Sequence, residues 1–215
     1  MSKLSNLTRK IVIIAIAVVS ISAKAQGQKI YTSPDAVDLA RQHKIIAIAP
    51  PVISFASMKN VDAEAIKEQQ KTESLNFQRE IYSWLLKRKS QGKFAQEIQE
   101  LAVTNAKLQQ AGYPEKILSA AEMCEILNVD GILTSNYTLS NPISAGGAVA
   151  LRLATGVSAT TNTVDVAMSI HDKSRSKMIW NYNRKISGKL GSTPASLVDT
   201  NLRHASKKMP YFLKK

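Results

Sequence analysis

Two alternating runs near the C-terminus constrain the fold of this chain more than any other feature. Val164, Val166, Met168 and Ile170 alternate with Asp165, Ala167, Ser169 and His171. After a polar turn over 171–177, Met178, Trp180, Tyr182, Arg184 and Ile186 repeat the period of two. Side chains alternate across a strand, so each run has one apolar and one polar face. Joined by a polar turn, they predict an antiparallel hairpin. Trp180 and Tyr182 belong to its core face, and Asn181 and Asn183 to a solvated one. A sheet with one apolar face must bury it against another layer, and the rest of the sequence offers helices for that role.

Residues 26–32 read as a loose lead-in, and Ser33-Pro34-Asp35 as a helix start capped by Ser33, running to about 42. The β-branched run KIIAIA (44–49) is a buried strand stopped by Pro50 and Pro51. The stretch 51–60, apolar for a loop, places part of itself on the domain surface as a groove wall. In 61–89, Phe77, Ile81, Trp84 and Leu85 share one helical face, whereas 64–73 is almost wholly polar and should meet solvent or a partner. Gln91-Gly92 ends this helix. Residues 94–99 alternate as a short strand, Thr104 caps a helix ending at Gly112, and Pro114 opens another running to Leu127. A turn at 128–131 leads into a strand over 132–139, and Thr193-Pro194 opens a last helix with Val198, Leu202, Ala205 and Met209 on one face. This order predicts an α/β fold. It is a mixed sheet of about five strands with helices packed on it, a two- or three-layer sandwich ending in the antiparallel hairpin and a helix.

The N-terminus carries an address. Lys3, Arg9 and Lys10 precede an uncharged apolar run at 11–21, and small residues at 22–25 place a cleavage point between Ala25 and Gln26. This is the build of a cleavable secretory signal. The run covers about half of the ~20 residues of a membrane-spanning helix. No cysteine stands at the cleavage point, which argues against a lipid anchor. The expected organisation is a signal peptide at 1–25 and a single α/β domain at 26–215, located in the periplasm or secreted. The leader holds four of the chain's 29 basic residues and none of its 16 acidic ones, leaving 25 against 16. That excess favours acidic partners such as an anionic envelope polymer or lipid surface. Nucleic acid is disfavoured by the export signal and by the lack of Lys/Arg runs interleaved with aromatics. Cys124, the one cysteine, cannot form an internal disulfide. It sits with Ile117, Leu118, Ala121 and Leu127 at core-facing helical spacing, which makes it a buried structural thiol.

Searches for chemistry return no catalytic, cofactor or metal residues. His43, His171 and His204 make no pair at metal-ligand spacing. In Gly156-Val157-Ser158-Ala159-Thr160, threonine replaces the second glycine of a nucleophile elbow and the strand-to-helix context is missing. No phosphate-binding loop is present. Asp130 and Asp165 fall near strand starts, where turn and edge roles prevail. The candidate interaction surface is basic instead: Lys67, Lys71 and Arg79 on the long helix, and Arg203, Lys207 and Lys208 near the C-terminus. A Gly/Ala-rich insert at 141–162 with a single charge, Arg152, reads as a tight crossover packed on another layer. A partner-binding loop or membrane-inserting hairpin is the alternative.

Three segments carry a family resemblance. IIAIAPP (45–51) precedes a long helix, LNVDGILTSNY (127–137) runs from helix into strand, and VDVAMSIHDKSRSKMIWNYNRKISG (164–188) is a hairpin followed by a Thr-Pro helix start. The pattern resembles the periplasmic α/β domain shared by the curli secretion protein CsgG, the penicillin-binding-protein activator LpoB and related exported proteins. That resemblance implies a non-enzymatic protein that binds partner proteins, assembles into an envelope machine or activates a cell-wall synthase, with homo-oligomerisation left open. The missing lipoprotein cysteine and the insert depart from the family pattern. The expected function is thus an exported, non-catalytic binding or envelope-assembly protein without cofactors. Its alternatives are a hydrolase of an envelope polymer, with Ser158, His171 and Asp165 as the residues to inspect, or a pore-assembly component.

Overall fold

The computed structural model describes residues 28–56, 62–140, 162–188 and 193–212. The elements in chain order are β1 (Lys29–Thr32), α1 (Ala36–Gln42), β2 (Ile45–Ile48), β3 (Val52–Phe55), α2 (Ala63–Ser90), β4 (Glu97–Ile98), α3 (Leu101–Gln110), α4 (Ala120–Leu127), β5 (Gly131–Leu139), β6 (Asn162–Asp172), β7 (Lys177–Gly188) and α5 (Pro194–Ala205). The strands form one seven-stranded mixed sheet in the order β1-β7-β6-β5-β2-β4, with β3 also beside β5. β5 is the hinge of the topology. It runs antiparallel to β6 on one side, and on the other parallel to β2 along its first half and to β3 along its second. The α/β class of the sequence reading holds, and the sheet is two strands wider than expected.

The hairpin is β6–β7, in the register that places Val164, Val166, Met168 and Ile170 opposite Ile186, Arg184, Tyr182 and Trp180. Pairing then jumps from Ile170↔Trp180 to His171↔Met178, so Ile179 is a bulged extra residue. Ile179 is fully buried, and its carbonyl accepts the Ser33 N–H at 2.9 Å just beyond β1. The bulge therefore receives the end of the edge strand that the sequence reading took for a loose lead-in. Residues 52–55 of the stretch read as a loop after Pro51 are likewise strand β3, because their backbone completes the second half of β5, and residues 57–60 lie outside the described residues.

α1, α2 and α5 cover one face of the sheet, where Phe77, Ile81, Leu85, Tyr137, Met168, Trp180, Tyr182, Val198 and Leu202 form the larger core. α3 and α4 cover only part of the other face, packing Leu108, Cys124 and Leu127 against Ala47, Ala49 and Ile132. Among the described residues the sheet is three-layered there and two-layered over β6 and β7. The termini of the helices follow local chemistry. Asp62 caps α2 by accepting the N–H groups of Glu64 and Ala65 at 3.0 Å. Ser119–Glu122 and Thr193–Ser196 form capping boxes for α4 and α5.

Several boundaries differ from the sequence reading. α1 begins at Ala36 after Asp35, with Ser33 bonded to the Asp35 carboxylate instead of capping the helix. α3 begins at Leu101, and Thr104 is buried inside it, donating to Gln99 Oε1 at 2.9 Å. α4 begins at Ala120 rather than Pro114, so Ile117 is 93 % exposed instead of facing the core. The 94–99 strand shrinks to β4, with Phe94 making a separate bridge to Phe212.

Candidate functional site

The side of the sheet left open beyond α3 and α4 is a polar platform built by the strand period. Every second residue of β5, β6, β7 and β1 points to it, and antiparallel register aligns them in rows. Thr134, Ser169, Asn181 and Tyr31 make one row, Asn136, Ala167, Asn183 and Lys29 the next, and Thr138, Asp165 and Lys185 the third. All are half-buried or exposed, and no described helix packs on these rows. Asn181 Nδ2 donates to Ser169 Oγ at 2.9 Å and to Met168 O at 3.2 Å, and Asn183 Nδ2 donates to Asn181 Oδ1. Lys185 and Asp165 face each other at 3.7 Å, both more than half exposed; such a pair is worth little in stability. A shallow depression of about 330 Å³ lies over Asn136, Thr138, Ala167, Asn183 and Lys185. Short amides and hydroxyls lose little rotamer entropy when covered and supply both donors and acceptors. This surface is suited to hydrogen-bonded contact with a protein.

A second polar cluster lies at the opposite end of the parallel strands. His43, directly before β2, is buried, with Nε2 2.7 Å from Asp172 Oδ1 and Nδ1 2.7 Å from the Tyr211 hydroxyl. Asp172 also accepts from Ser174 Oγ at 2.8 Å and the Arg175 N–H at 2.6 Å. Burial pushes the Asp172 carboxyl up, yet the His43, Arg175 and Ser174 donors together hold it below the usual range. With Asp172 ionised, His43 Nε2 donates to it, and burial raises the phenol of Tyr211 well above 10. Asp130 Oδ2 beside it accepts the N–H groups of Lys44 and Ile45 at 2.7 and 3.0 Å. A depression of about 450 Å³ bordered by Gln42, Glu125 and Lys173 opens over this cluster. The cluster ties the end of α1, the end of β6 and the C-terminal segment to the starts of β2 and β5. It sits at the amino ends of the parallel strands, whereas sheets of this class take ligands at the carboxyl ends. We read it as a pin that fixes four chain segments.

These groups set the acid limit of the fold. Asp130, Asp172 and Asp199 are held below their usual values, and burial lowers His171 and His204. In each case the unfolded chain binds more protons on acidification, so stability is lost as pH falls. The expected profile is a plateau near pH 7–8, a decline that starts below about 6.5 from the histidines and steepens below about 4 from the carboxylates. Urea melts across pH 3–8 test this, and a rise in stability on acidification contradicts it.

The sequence-derived basic residues are exposed but do not form one surface. Lys67 and Lys71 share a stripe one turn apart at the start of α2, with Lys67 3.6 Å from Glu64. Arg79, three turns beyond Lys67, donates to Asn76 Oδ1 at 2.8 Å. Arg203 pairs with Asp199 at 2.6 Å on α5, and Lys207 and Lys208 follow in the turn after it. Ala25, Gln26, Ser158 and the insert up to residue 161 lie outside the described residues. Asp165 and His171 lie on one strand face six positions apart, about 20 Å at the rise of a strand, and cannot act as a dyad. Cys124 is buried and its thiol is pushed up to about 12 by desolvation, in keeping with a structural role. Among the described residues no cluster of three or more His, Cys, Asp and Glu could hold a metal ion, and no helix is long and apolar enough to cross a membrane. The polar platform was half legible, through Asn181 and Asn183. The pin was missed because its members lie 129 and 168 residues apart.

No family model and no curated protein matches the chain. Among solved structures it is similar to lipoprotein GNA1162 from Neisseria meningitidis, at 12 % identity and TM-score 0.45 over 77 % of this chain and 97 % of that one. It is also similar to the PelC dodecamer from Paraburkholderia phytofirmans, at 12 % identity and TM-score 0.38 over 88 % and 99 %. The LpoB C-terminal domain from Salmonella enterica matches at 9 % and 0.32 over 66 % and 82 %. The expected likeness to LpoB thus has a counterpart here, and the expected likeness to CsgG has none among these structures. Scores at this level carry no argument about activity or partners.

Proposed function

We propose that this chain is an exported, non-catalytic binding protein of the bacterial cell envelope, acting by contact with a partner protein through the polar platform of β5, β6, β7 and β1. The observation that carries the reading is the asymmetry of the sheet. α3 and α4 close one part of the second face over Ala47 and Ile132. The adjoining part presents aligned rows of Asn, Ser and Thr that a partner could pair with directly. The basic, apolar and small-residue segments in 1–25 supply the address in this reading. A leader of that build sends the domain to a compartment where binding and assembly proteins work on the envelope.

Ala167 sits at the centre of the platform between Asn136 and Asn183. Ala167→Arg places a long charged side chain there without touching the core. The variant is expected to keep the wild-type melting temperature within a few degrees, as surface substitutions do. Its affinity for the partner is expected to fall about tenfold or more, the loss for an obstructed interface centre. Calorimetry or surface plasmon resonance on the purified pair reads both, and unchanged affinity removes the platform from the reading.

A further inference from the structure

We propose that the corner where the last turn of α2 meets the segment after α5 docks to an anionic lipid bilayer surface. It lies on the helix-covered side of the sheet, away from the polar platform, and stands independently of that reading. Folding brings two basic stretches together here. Trp84 Nε1 donates to Asp199 Oδ1 at 3.1 Å, and Phe94 bridges Phe212, with the two rings 5.6 Å apart. Trp84 and Phe212 rings also meet at 5.8 Å. The aromatic groups therefore form a rigid base facing inward, and the cations stand around it.

The cations divide into two kinds. The arginines and Lys89 are engaged within the protein: Arg88 lies 4.5 Å over the Trp84 ring and donates to Gln91 Oε1 at 2.9 Å, Arg203 Nε holds Asp199 at 2.6 Å, and Lys89 Nζ lies 2.6 Å from Glu97 Oε1. Lys93, Lys207 and Lys208 are exposed at the same corner, on the loop after α2 and the turn after α5. Lysine is a hydrated point charge on a flexible stem, without the planar fork that reads a single phosphate bidentately. Three such exposed charges suit a diffuse array of headgroups more than one cradled anion. Each lysine near an anionic leaflet raises partitioning about fivefold. The surplus left beyond the leader, 25 basic against 16 acidic residues, adds long-range attraction in the same direction.

The test uses the chain from Gln26 onward, without the basic and apolar leader, and sedimentation with phosphatidylcholine vesicles, with or without about 30 mol% phosphatidylglycerol. Co-sedimentation with the anionic vesicles alone is expected, and its loss at about 0.5 M NaCl, where exposed charges are screened. Combining Lys93→Glu, Lys207→Glu and Lys208→Glu is expected to weaken binding about a hundredfold, the per-lysine contribution multiplied over three positions. Lys67→Glu with Lys71→Glu, at the far end of α2, is expected to weaken binding far less than the triple variant, through the lowered overall charge alone. Equal binding to both vesicles overturns the proposal, as does full binding by the triple variant. Binding to soluble polyphosphate with none to vesicles overturns it too, in favour of a polymer ligand. Salt dependence on the wild-type chain decides the matter if the triple variant does not fold.

Discussion

Gly131→Ala is expected to lower the melting temperature on the order of 10 °C, corresponding to about 3 kcal/mol in a domain of this size. Gly131 opens β5 beneath the buried pin. A Cβ there would lie 2.7 Å from His43 Cε1 and Nδ1 and 2.8 Å from the Tyr211 hydroxyl. Neither neighbour can give way cheaply, since His43 is bonded to Asp172 at 2.7 Å and Tyr211 is 3 % exposed. Overpacking costs about 1–3 kcal/mol, and a buried hydrogen bond broken in the process adds about 1–3 kcal/mol. Gly92→Ala makes a useful contrast. Gly92 has φ +66° with nothing within 4 Å of a Cβ, so its cost is conformational only, about 1–2 kcal/mol. Adding Tyr211→Phe to Gly131→Ala removes one clashing atom, and the two losses are expected to be less than additive. Full additivity would show that the close approach is relieved elsewhere.

The second large effect is expected at Asp172. Asp172→Ala leaves His43 Nε2, Ser174 Oγ and the Arg175 N–H without their acceptor in a site where Asp172 itself is 2 % exposed. Leaving a buried donor without its acceptor costs about 1–3 kcal/mol, and more where the lost acceptor is charged. Asp172→Asn keeps an acceptor oxygen and the shape of the side chain, and is expected to cost about half as much, nearer a single charged hydrogen bond. Because the Asp172 carboxyl is held below its usual range in the fold, its replacement also removes part of the stability lost below about pH 4. Urea unfolding at pH 7 and pH 3.5 reads both consequences. A variant as stable as wild type at pH 7 would make the cluster a bystander rather than a pin.

The parts of the fold that were legible are those where a periodic apolar pattern and a packing surface coincide. β6 and β7 alternate because one face meets α2 and α5 while the other carries no described helix. α5 announced itself through Thr193-Pro194, and α2 through Phe77, Ile81, Trp84 and Leu85. β1 gave no signal because all four of its residues are exposed and backbone pairing to β7 alone defines it. β3 hid behind Pro50-Pro51, since four residues are too few to separate a strand from an apolar loop. The start of α4 was misplaced because Pro114 is a plausible first-turn residue, while the Ser119–Glu122 capping box decides the boundary. The candidate sites divide the same way. Asn181 and Asn183 mark the platform by alternation, but its rows exist only through register with Asn136, Ala167 and Ser169. The basic corner joins Lys93 to Lys207 and Lys208 across more than a hundred residues by way of Phe94 and Phe212. No local spacing carries such a contact.

Site-specific photo-crosslinking from the platform tests the central claim most directly. A photoreactive residue at Asn183, in the middle row of the platform, is expected to yield one discrete adduct with an envelope protein. The same group at Lys71 on α2 is expected to yield none, and Ala167→Arg is expected to suppress the Asn183 adduct. Equal diffuse labelling from both positions, or an Asn183 adduct untouched by Ala167→Arg, would contradict a contact function for this face.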